Sequence, residues 1–361
     1  MSLRVAVLAT GLQAGGGIAR YTGELLRALD RRGDLQVLAV VTRAGAARIE
    51  ALSPARTDAF VLPADRQVPT ATFERYGLAR PLRRRGVEVV HGTKHLLPLT
   101  TLPRVLTVHD LVLLDRPGQF RLAKRLLLPR WYRSCLAEAD RLVAVSEATA
   151  ARIVTRFPAF AARTVVASNG MSAALMAASP EPVPGLEPDR FALTVGDLSP
   201  RKNLDVLADV WPEVHAATGL VLAVAGSGGW RAAATARRLD ALAARGLVVR
   251  TGPLSDPHLA WAYRNARVLL FPSREEGFGL PVLEAAAFGC PVVAGTDPAL
   301  VEAAAGGAAH VDPDDRPGWR DAIVAAATGP RPRPRSPDRL PTWDAHAEVV
   351  VAQYRAVLAS R

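Results

Sequence analysis

Two carboxylates, Glu276 and Glu284, flank the turn Gly277-Phe278-Gly279-Leu280-Pro281 in the stretch 271–293. Apolar runs of strand length precede the turn at 266–271 and close the stretch at 291–294. Gly277 and Gly279 free the backbone for a sharp reversal. Pro281 suits the first turn of a helix, where its missing N–H is not needed. The pattern predicts a helix over 280–288 that stops at Gly289. Its N-terminus offers amides and a positive dipole end to an anion, at the carboxyl edge of a parallel sheet. Glu276 sits in the turn and Glu284 one helical turn in, so both reach the same ligand. An anion between two carboxylates is tolerable only if each acid binds something else, and the hydroxyls of two sugar rings fit that requirement.

Other loops carry groups of the same kind. After an apolar run at 191–195 comes Gly196-Asp197-Leu198-Ser199-Pro200-Arg201-Lys202-Asn203. Arg201 supplies a planar fork and Lys202 a compact charge at one strand-to-helix mouth. Lys202 is one of only three lysines beside 42 arginines. Gly226 opens a Gly-Ser-Gly-Gly turn after a run at 220–225. In the first half, Gly16 and Gly17 lie between a strand at 3–8 and an amphipathic helix reaching about Arg31. Their spacing is not G-x-G-x-x-G followed by an acid after the second strand, which argues against a nicotinamide site. His109 and Asp110 end a strand at 104–108. Asp312-Pro313-Asp314 follows a late strand, where turn chemistry accounts for it, and no His/Cys cluster suggests a metal.

Glu276 and Glu284, with seven residues between them around Gly-Phe-Gly-Leu-Pro, resemble the E-x7-E signature of retaining, nucleotide-sugar-dependent glycosyltransferases of the GT4 type (glycosyltransferase group 1). Pro200-Arg201-Lys202-Asn203 is similar to a second segment of that family. The resemblance implies the GT-B arrangement: an α/β chain of two Rossmann-like domains facing each other across a cleft, with a C-terminal helix crossing back to the first. It implies transfer of a hexose from a nucleoside-diphosphate sugar, of the GDP-mannose or UDP-glucose type, to an acceptor hydroxyl, with neither metal nor other cofactor. Arg201 and Lys202 would then grip the donor diphosphate, with Gly277, Phe278, Gly279 and Leu280 around it. Glu284 would take the ribose, Glu276 the donor-sugar hydroxyls and His109 the sugar near the reacting carbon. Gly16 and Gly17 match the loop that closes over donor phosphates and acceptor, and Gly226 a second-domain glycine motif. Many relatives carry an additional Arg where this chain has Asp197, which makes Arg201 the main phosphate fork. A nucleotide-sugar epimerase of the same fold is the alternative; it would convert donor without acceptor.

The elements that must position these residues follow from apolar runs. Runs at 3–8, 36–41, 59–62, 87–90, 104–108 and 141–145 alternate with helical segments, the parallel α/β pattern. Pro-rich stretches at 179–190 and 329–341 divide the chain. The expected domains are therefore 1–178, which binds acceptor, 190–330, which binds the sugar nucleotide, and a crossover helix at 342–361. With 361 residues and 49% hydrophobic composition there is material for two cores. No apolar run reaches transmembrane length, and the first residues read as a buried strand rather than a signal peptide. Two cysteines, Cys135 and Cys290, in different domains suit structural thiols in a cytoplasmic protein.

The net charge of +11 is one-sided: residues 1–180 hold 26 Lys and Arg against 13 Asp and Glu, and residues 181–361 hold 19 against 21. That asymmetry asks for an acidic partner. A segment at 119–133 joins five cations to Leu, Trp and Tyr; with Arg83, Arg84 and Arg85 it forms either a basic face for an anionic membrane or a solvated face over an ordinary apolar stripe. The expected partners are the sugar-nucleotide donor, a glycan, lipid-linked or small-molecule acceptor, and peripheral contact at the inner face of the membrane, with no nucleic acid.

Overall fold

A computed structural model of the chain describes residues 2–14, 16–52, 57–63, 67–115, 118, 122–229 and 231–360; at 13, 14, 50, 51, 67, 68 and 122–126 it describes the backbone alone. The chain forms two compact units, residues 1–170 with 341–361, and residues 171–340.

The first unit holds β1 (Leu3–Leu8), α1 (Gly16–Asp30), β2 (Leu35–Val41), α2 (Arg43–Leu52), β3 (Thr57–Val61), α3 (Gln67–Tyr76), α4 (Ala79–Arg84), β4 (Val89–Gly92), β5 (Arg104–Val108), α5 (Val112–Asp115), α6 (Leu122–Glu138), β6 (Arg141–Ala144), α7 (Glu147–Arg156) and β7 (Thr164–Val166). Its seven strands are parallel in the order β3-β2-β1-β4-β5-β6-β7. Strands such as β1, β4 and β5 are mostly apolar because helices cover both faces, with His91 and Thr107 as buried polar exceptions. One core, with Leu8, Val40, Leu82 and Val90, lies on one part of the sheet, and a second gathers Val108, Leu142, Tyr132, Leu136 and Ile153. The strand β7, half-buried along its whole length, is not among the runs read from the sequence. Of the basic segment at 119–133, residues 119–121 lie outside the described residues, and α6 turns Tyr132, Cys135 and Leu136 inward while Leu127 and Arg130 are exposed.

The second unit holds α8 (Ala173–Ala177), β8 (Phe191–Val195), α9 (Leu204–Thr218), β9 (Val221–Ala225), α10 (Ala233–Ala243), β10 (Val248–Arg250), α11 (Asp256–Asn265), β11 (Val268–Phe271), α12 (Leu280–Ala287), β12 (Val292–Gly295), α13 (Pro298–Ala304), β13 (Ala309–Val311) and α14 (Arg316–Thr328). Its parallel order is β10-β9-β8-β11-β12-β13. Trp211 of α9 and Trp319 of α14, both fully buried, anchor its core with Leu207, Leu222 and Val268. The division between units falls at residue 170 rather than in the Pro-rich stretch 179–190. That stretch is tied to its own unit: Glu181 N–H donates to the Pro257 carbonyl and Asp189 N–H to that of Asn265. The later stretch is tied the same way, Arg335 N–H donating to the Ala286 carbonyl.

The last helix, α15 (Trp343–Ala359), belongs to the first unit, where it packs on α1 and beside β5 and β6. A fully buried chain of hydrogen bonds fastens it there. His346 Nδ1 lies 3.1 Å from the Ser168 carbonyl, which can only accept, so Nδ1 carries the proton and Nε2 accepts from the Tyr21 hydroxyl at 3.0 Å. Tyr21 must then accept from Thr107 at 2.8 Å, and Thr107 from His91 Nε2 at 2.8 Å. That leaves His91 Nδ1 to accept from Tyr354 at 2.6 Å. Every donor has one acceptor, and both imidazoles are neutral. Burial holds the His91 pKa down to about 3 and that of His346 to about 4. In the unfolded chain both charge below about pH 6.5. The unfolded state therefore binds more protons, and stability falls as pH is lowered from 6.5. We predict a melting temperature that drops between pH 6.5 and 5, before the carboxylates titrate, and a shallower drop in His91→Gln/His346→Gln. Calorimetry that finds the same slope in both proteins would contradict this account.

Candidate functional site

In the second unit the strand order reverses between β8 and β11, and the loops leaving those two strands carry the residues singled out above. In open parallel sheets ligands bind at such a switch point, outside the carboxyl ends of the strands. The loop after β8 runs from Gly196 into a single 3-10 turn, Pro200–Lys202, and Asn203 then opens α9 in a left-handed conformation (φ 55°). The loop after β11 ends at Gly279, whose φ of 101° caps α12. A side chain there would also meet Leu300 Cδ2 at 2.7 Å. The predicted helix and its stop are present: α12 starts at Leu280 with Pro281 in its first turn, and Gly289 follows with φ 69°.

Lys202 Nζ lies 2.7 Å from Glu276 Oε1, and Arg201 Nη1 lies 3.0 Å from the same oxygen. Lys202 and Glu276 are 9% and 8% exposed, so this is a buried cluster with two cations on one anion. Burial pushes the Glu276 carboxyl up, but the Arg201 and Lys202 charges outweigh it and hold its pKa at about 2. Burial lowers the Lys202 pKa, with Arg201 adding to the shift and Glu276 opposing it. The ammonium also stands 4.3 Å above the ring centre of Phe271, at the end of β11. Arg201 further donates to the Glu275 carbonyl at 3.3 Å, and Arg274 N–H to that of Arg201 at 2.8 Å, lacing the two loops together.

Gly226 supports this arrangement from the neighbouring strand. A Cβ on it would lie 1.9 Å from the Gly196 carbonyl oxygen, and one on Gly229 2.8 Å from the Ser199 nitrogen. Asp197 turns back on its own loop and accepts from the Ser199 amide at 3.0 Å. Glu284 is buried in α12 and accepts from the Tyr263 hydroxyl at 2.7 Å. Sequence reasoning missed Tyr263: it lies on α11, and no local spacing marks the pairing. Asp312 and Asp314 are engaged in turn chemistry, Asp312 Oδ1 accepting from the Asp314 amide at 2.8 Å while Asp314 pairs with Arg274. Among the described residues no group of three or more His, Cys, Asp and Glu is placed to hold a metal.

The remaining predicted residues belong to the first unit. His109 follows β5, with Nε2 2.9 Å from the Thr93 carbonyl and its ring edge-on to Tyr21 at 4.6 Å. Nε2 thus carries the proton, and burial lowers the pKa, so the ring is neutral with an accepting Nδ1. Asp110 Oδ1 accepts from the Val112 amide at 3.1 Å at the start of α5. Ser146 caps α7, accepting from Thr149 N–H at 3.0 Å. Gly16 opens α1 with φ 71°, and neither it nor Gly17 would bring a Cβ within 4 Å of another atom.

Two parallel sheets of Rossmann-like strand order define a GT-B protein, and solved structures share the fold over the whole chain. Sucrose-phosphate synthase from Thermosynechococcus elongatus superposes with a TM-score of 0.71 at 19% identity, covering 100% of both chains. Anabaena HepE in complex with UDP-glucose gives 0.68 at 15% identity, covering 99% of this chain and 96% of that one. The family model described as Glycosyl transferases group 1 matches residues 189–328, and that described as Glycosyltransferase Family 4 matches residues 15–175. The chain belongs to these group 1, family 4 glycosyltransferases and is an enzyme of that class. O-antigen chain mannosyltransferase B of Escherichia coli is 26% identical over 321 residues, 83% of this chain and 84% of the relative. Nothing in these likenesses favours the epimerase alternative. The packing around the site makes a sharp expectation: Gly226→Ala should destabilise the second unit by on the order of 2–4 kcal/mol. Gly228→Ala, whose Cβ would meet nothing within 4 Å, should be neutral. Equal thermal shifts in the two variants would contradict the close approach.

Proposed function

We propose that the protein moves a hexose from a nucleoside-diphosphate sugar, of the GDP-mannose or UDP-glucose type, to an acceptor hydroxyl with retention of configuration and without a metal ion. The observation that carries this reading is the convergence of Arg201 and Lys202 on Glu276 at the switch point of the second sheet. The mannosyltransferase relative and the UDP-glucose complex of a structural neighbour support the donor class. As the glycosidic bond breaks, the bonding pair leaves with the diphosphate oxygen. Arg201, Lys202 and the amides at the start of α12 stabilise that charge, the task a divalent ion performs elsewhere. The acceptor oxygen attacks from the face the diphosphate leaves, and the departing phosphate oxygen takes the acceptor proton. Glu284, steadied by Tyr263, holds the ribose, and Glu276 holds hydroxyls of the donor sugar. His109 is given to the donor sugar by resemblance, and its neutral, accepting form suits a hydroxyl. The open space at Gly16 and Gly17 suits close approach by a ligand, because packing gives no reason for a glycine at 17. Lys202→Ala and Glu276→Ala should each lower the transfer rate at least ~100-fold with unchanged circular dichroism, and chelation of divalent ions should leave the wild-type rate intact. Full turnover in either variant removes the assignment, and loss of turnover on chelation removes the metal-free part of it.

The setting we propose is the cytoplasmic face of a membrane. Cys135 and Cys290 are free and buried, which suits a reducing compartment. No helix of the described residues is long and apolar enough to cross a bilayer. The first unit instead carries an exposed aromatic and apolar patch. Tyr76 (55% exposed) meets Trp131 edge-on at 5.9 Å, and Leu99 joins them, its amide bonded to the Arg75 carbonyl. Leu127, also exposed, lies one turn before Trp131. Segments 79–85, 94–102 and 127–133 contain Arg80, Arg83, Arg84, Arg85, Lys94, Arg130 and Arg133 and no acid. Aromatic side chains amid one sign of charge match an anionic lipid surface. The protein should co-sediment with phosphatidylglycerol vesicles but not with phosphatidylcholine vesicles, and Tyr76→Ser/Trp131→Ser should lose most of that binding. Equal sedimentation of variant and wild type would refute the patch.

A further inference from the structure

The cations of the phosphate mouth already hold an anion, and it is the chain's own. Lys202 and Arg201 both meet Glu276 Oε1, at 2.7 and 3.0 Å. We propose that Glu276 is a displaceable counter-ion, standing in for the diphosphate in the unliganded protein and released to the sugar hydroxyls when an intact donor arrives. This deepens, and rests on, the reading of the site as a sugar-nucleotide site.

The partner that moves is identified by its surroundings. The Lys202 stem is packed, since a Cβ on Gly196 would lie 3.2 Å from its Cε, and its ammonium rests over Phe271. Glu276 lies in 272–279, which has neither helix nor strand. Two cations and one carboxylate leave a single positive charge, a diphosphate brings more negative charge than that, and like charges crowded at one site repel. Paired with Arg201 and Lys202 the carboxyl stays charged; once displaced, burial disfavours that charge, so the group needs new hydrogen-bond partners. Hydroxyls of the donor sugar supply them, and a nucleoside diphosphate without its sugar does not. A buried carboxylate that loses both of its charged partners is destabilised, and the Ser273 hydroxyl beside it is a neutral donor that does not replace two charges. Sugar and diphosphate thus bind cooperatively. After transfer, Glu276 returns to Arg201 and Lys202 and expels the spent nucleoside diphosphate.

The test is titration calorimetry of UDP and of GDP into the wild type, Glu276→Gln and Glu276→Asp. Glu276→Gln removes the competing charge and should bind whichever diphosphate the wild type binds about tenfold tighter or more. Glu276→Asp, with the charge on a shorter stem, should fall between. An acid that served the sugar alone would leave diphosphate affinity unchanged, so an equal or weaker affinity in Glu276→Gln overturns the proposal. If Glu276→Gln does not fold, Glu276→Asp decides: tighter binding than wild type supports the exchange, and equal or weaker binding refutes it. Binding by none of the three proteins removes the sugar-nucleotide reading and the proposal with it. Wild-type binding without a gain in the variants removes the proposal alone.

Discussion

Two cations, one buried and one half-buried, meeting one carboxylate oxygen set the terms for the second unit. Charges are expensive to bury and stay buried only in good geometry, so the backbone around Arg201, Lys202 and Glu276 must come closer than side chains usually permit. Gly196 leaves space for the Lys202 stem, Gly226 lets the next strand lie against the Gly196 carbonyl, and Gly229 lets the following turn approach Ser199. Gly279 then starts α12 in a conformation few other residues adopt. The glycines that look like a ligand signature are thus also the conditions for holding the charges in place before any ligand binds.

The first unit handles buried polarity in the opposite manner. From Tyr354 through His91, Thr107, Tyr21 and His346 to the Ser168 carbonyl, the groups are neutral and the protons point one way. A neutral chain avoids the Born penalty of an ion pair and asks only that each donor find its acceptor. It suits a junction between distant parts of the sequence. The ring of Tyr21, whose hydroxyl accepts from Thr107, packs edge-on against His109, Trp343 and His346, so the C-terminal helix and the His109 loop share one support.

What could be read from the sequence was what is local. The central strands announce themselves as apolar runs, and the turn from β11 to α12 as glycines and a proline at fixed offsets. Strand ends were accurate to a residue or two, and Gly289 ends its helix as expected. What could not be read depends on pairs far apart in the chain. Lys202 and Glu276 are 74 positions apart, Tyr21 and His346 are 325 apart, and neither pairing leaves a periodic trace. The boundary between units was misplaced for a related reason: proline-rich composition marks an irregular segment, but whether it bridges two bodies or lies along one is decided by bonds such as that from Asp189 to Asn265. Asp110 shows the limit within a motif, where a carboxylate next to His109 in sequence bonds the opposite way, to Val112.

The scarcity of lysine has its explanation at position 202. A chain that writes nearly all its cations as arginine keeps an ammonium where the head group must fit between the Gly196 backbone and the face of Phe271. A guanidinium is broad and planar, with donors spread along a fork, and stacks over an aromatic face instead of standing on it as a point. In that slot it would press its plane against the Gly196 backbone or turn its fork away from Glu276. The neighbouring Arg201, 28% exposed along its side chain, has room for the fork. The two cations are therefore not interchangeable: the buried one is bounded by shape and the outer one by reach, and together they bring charge to one oxygen from two directions.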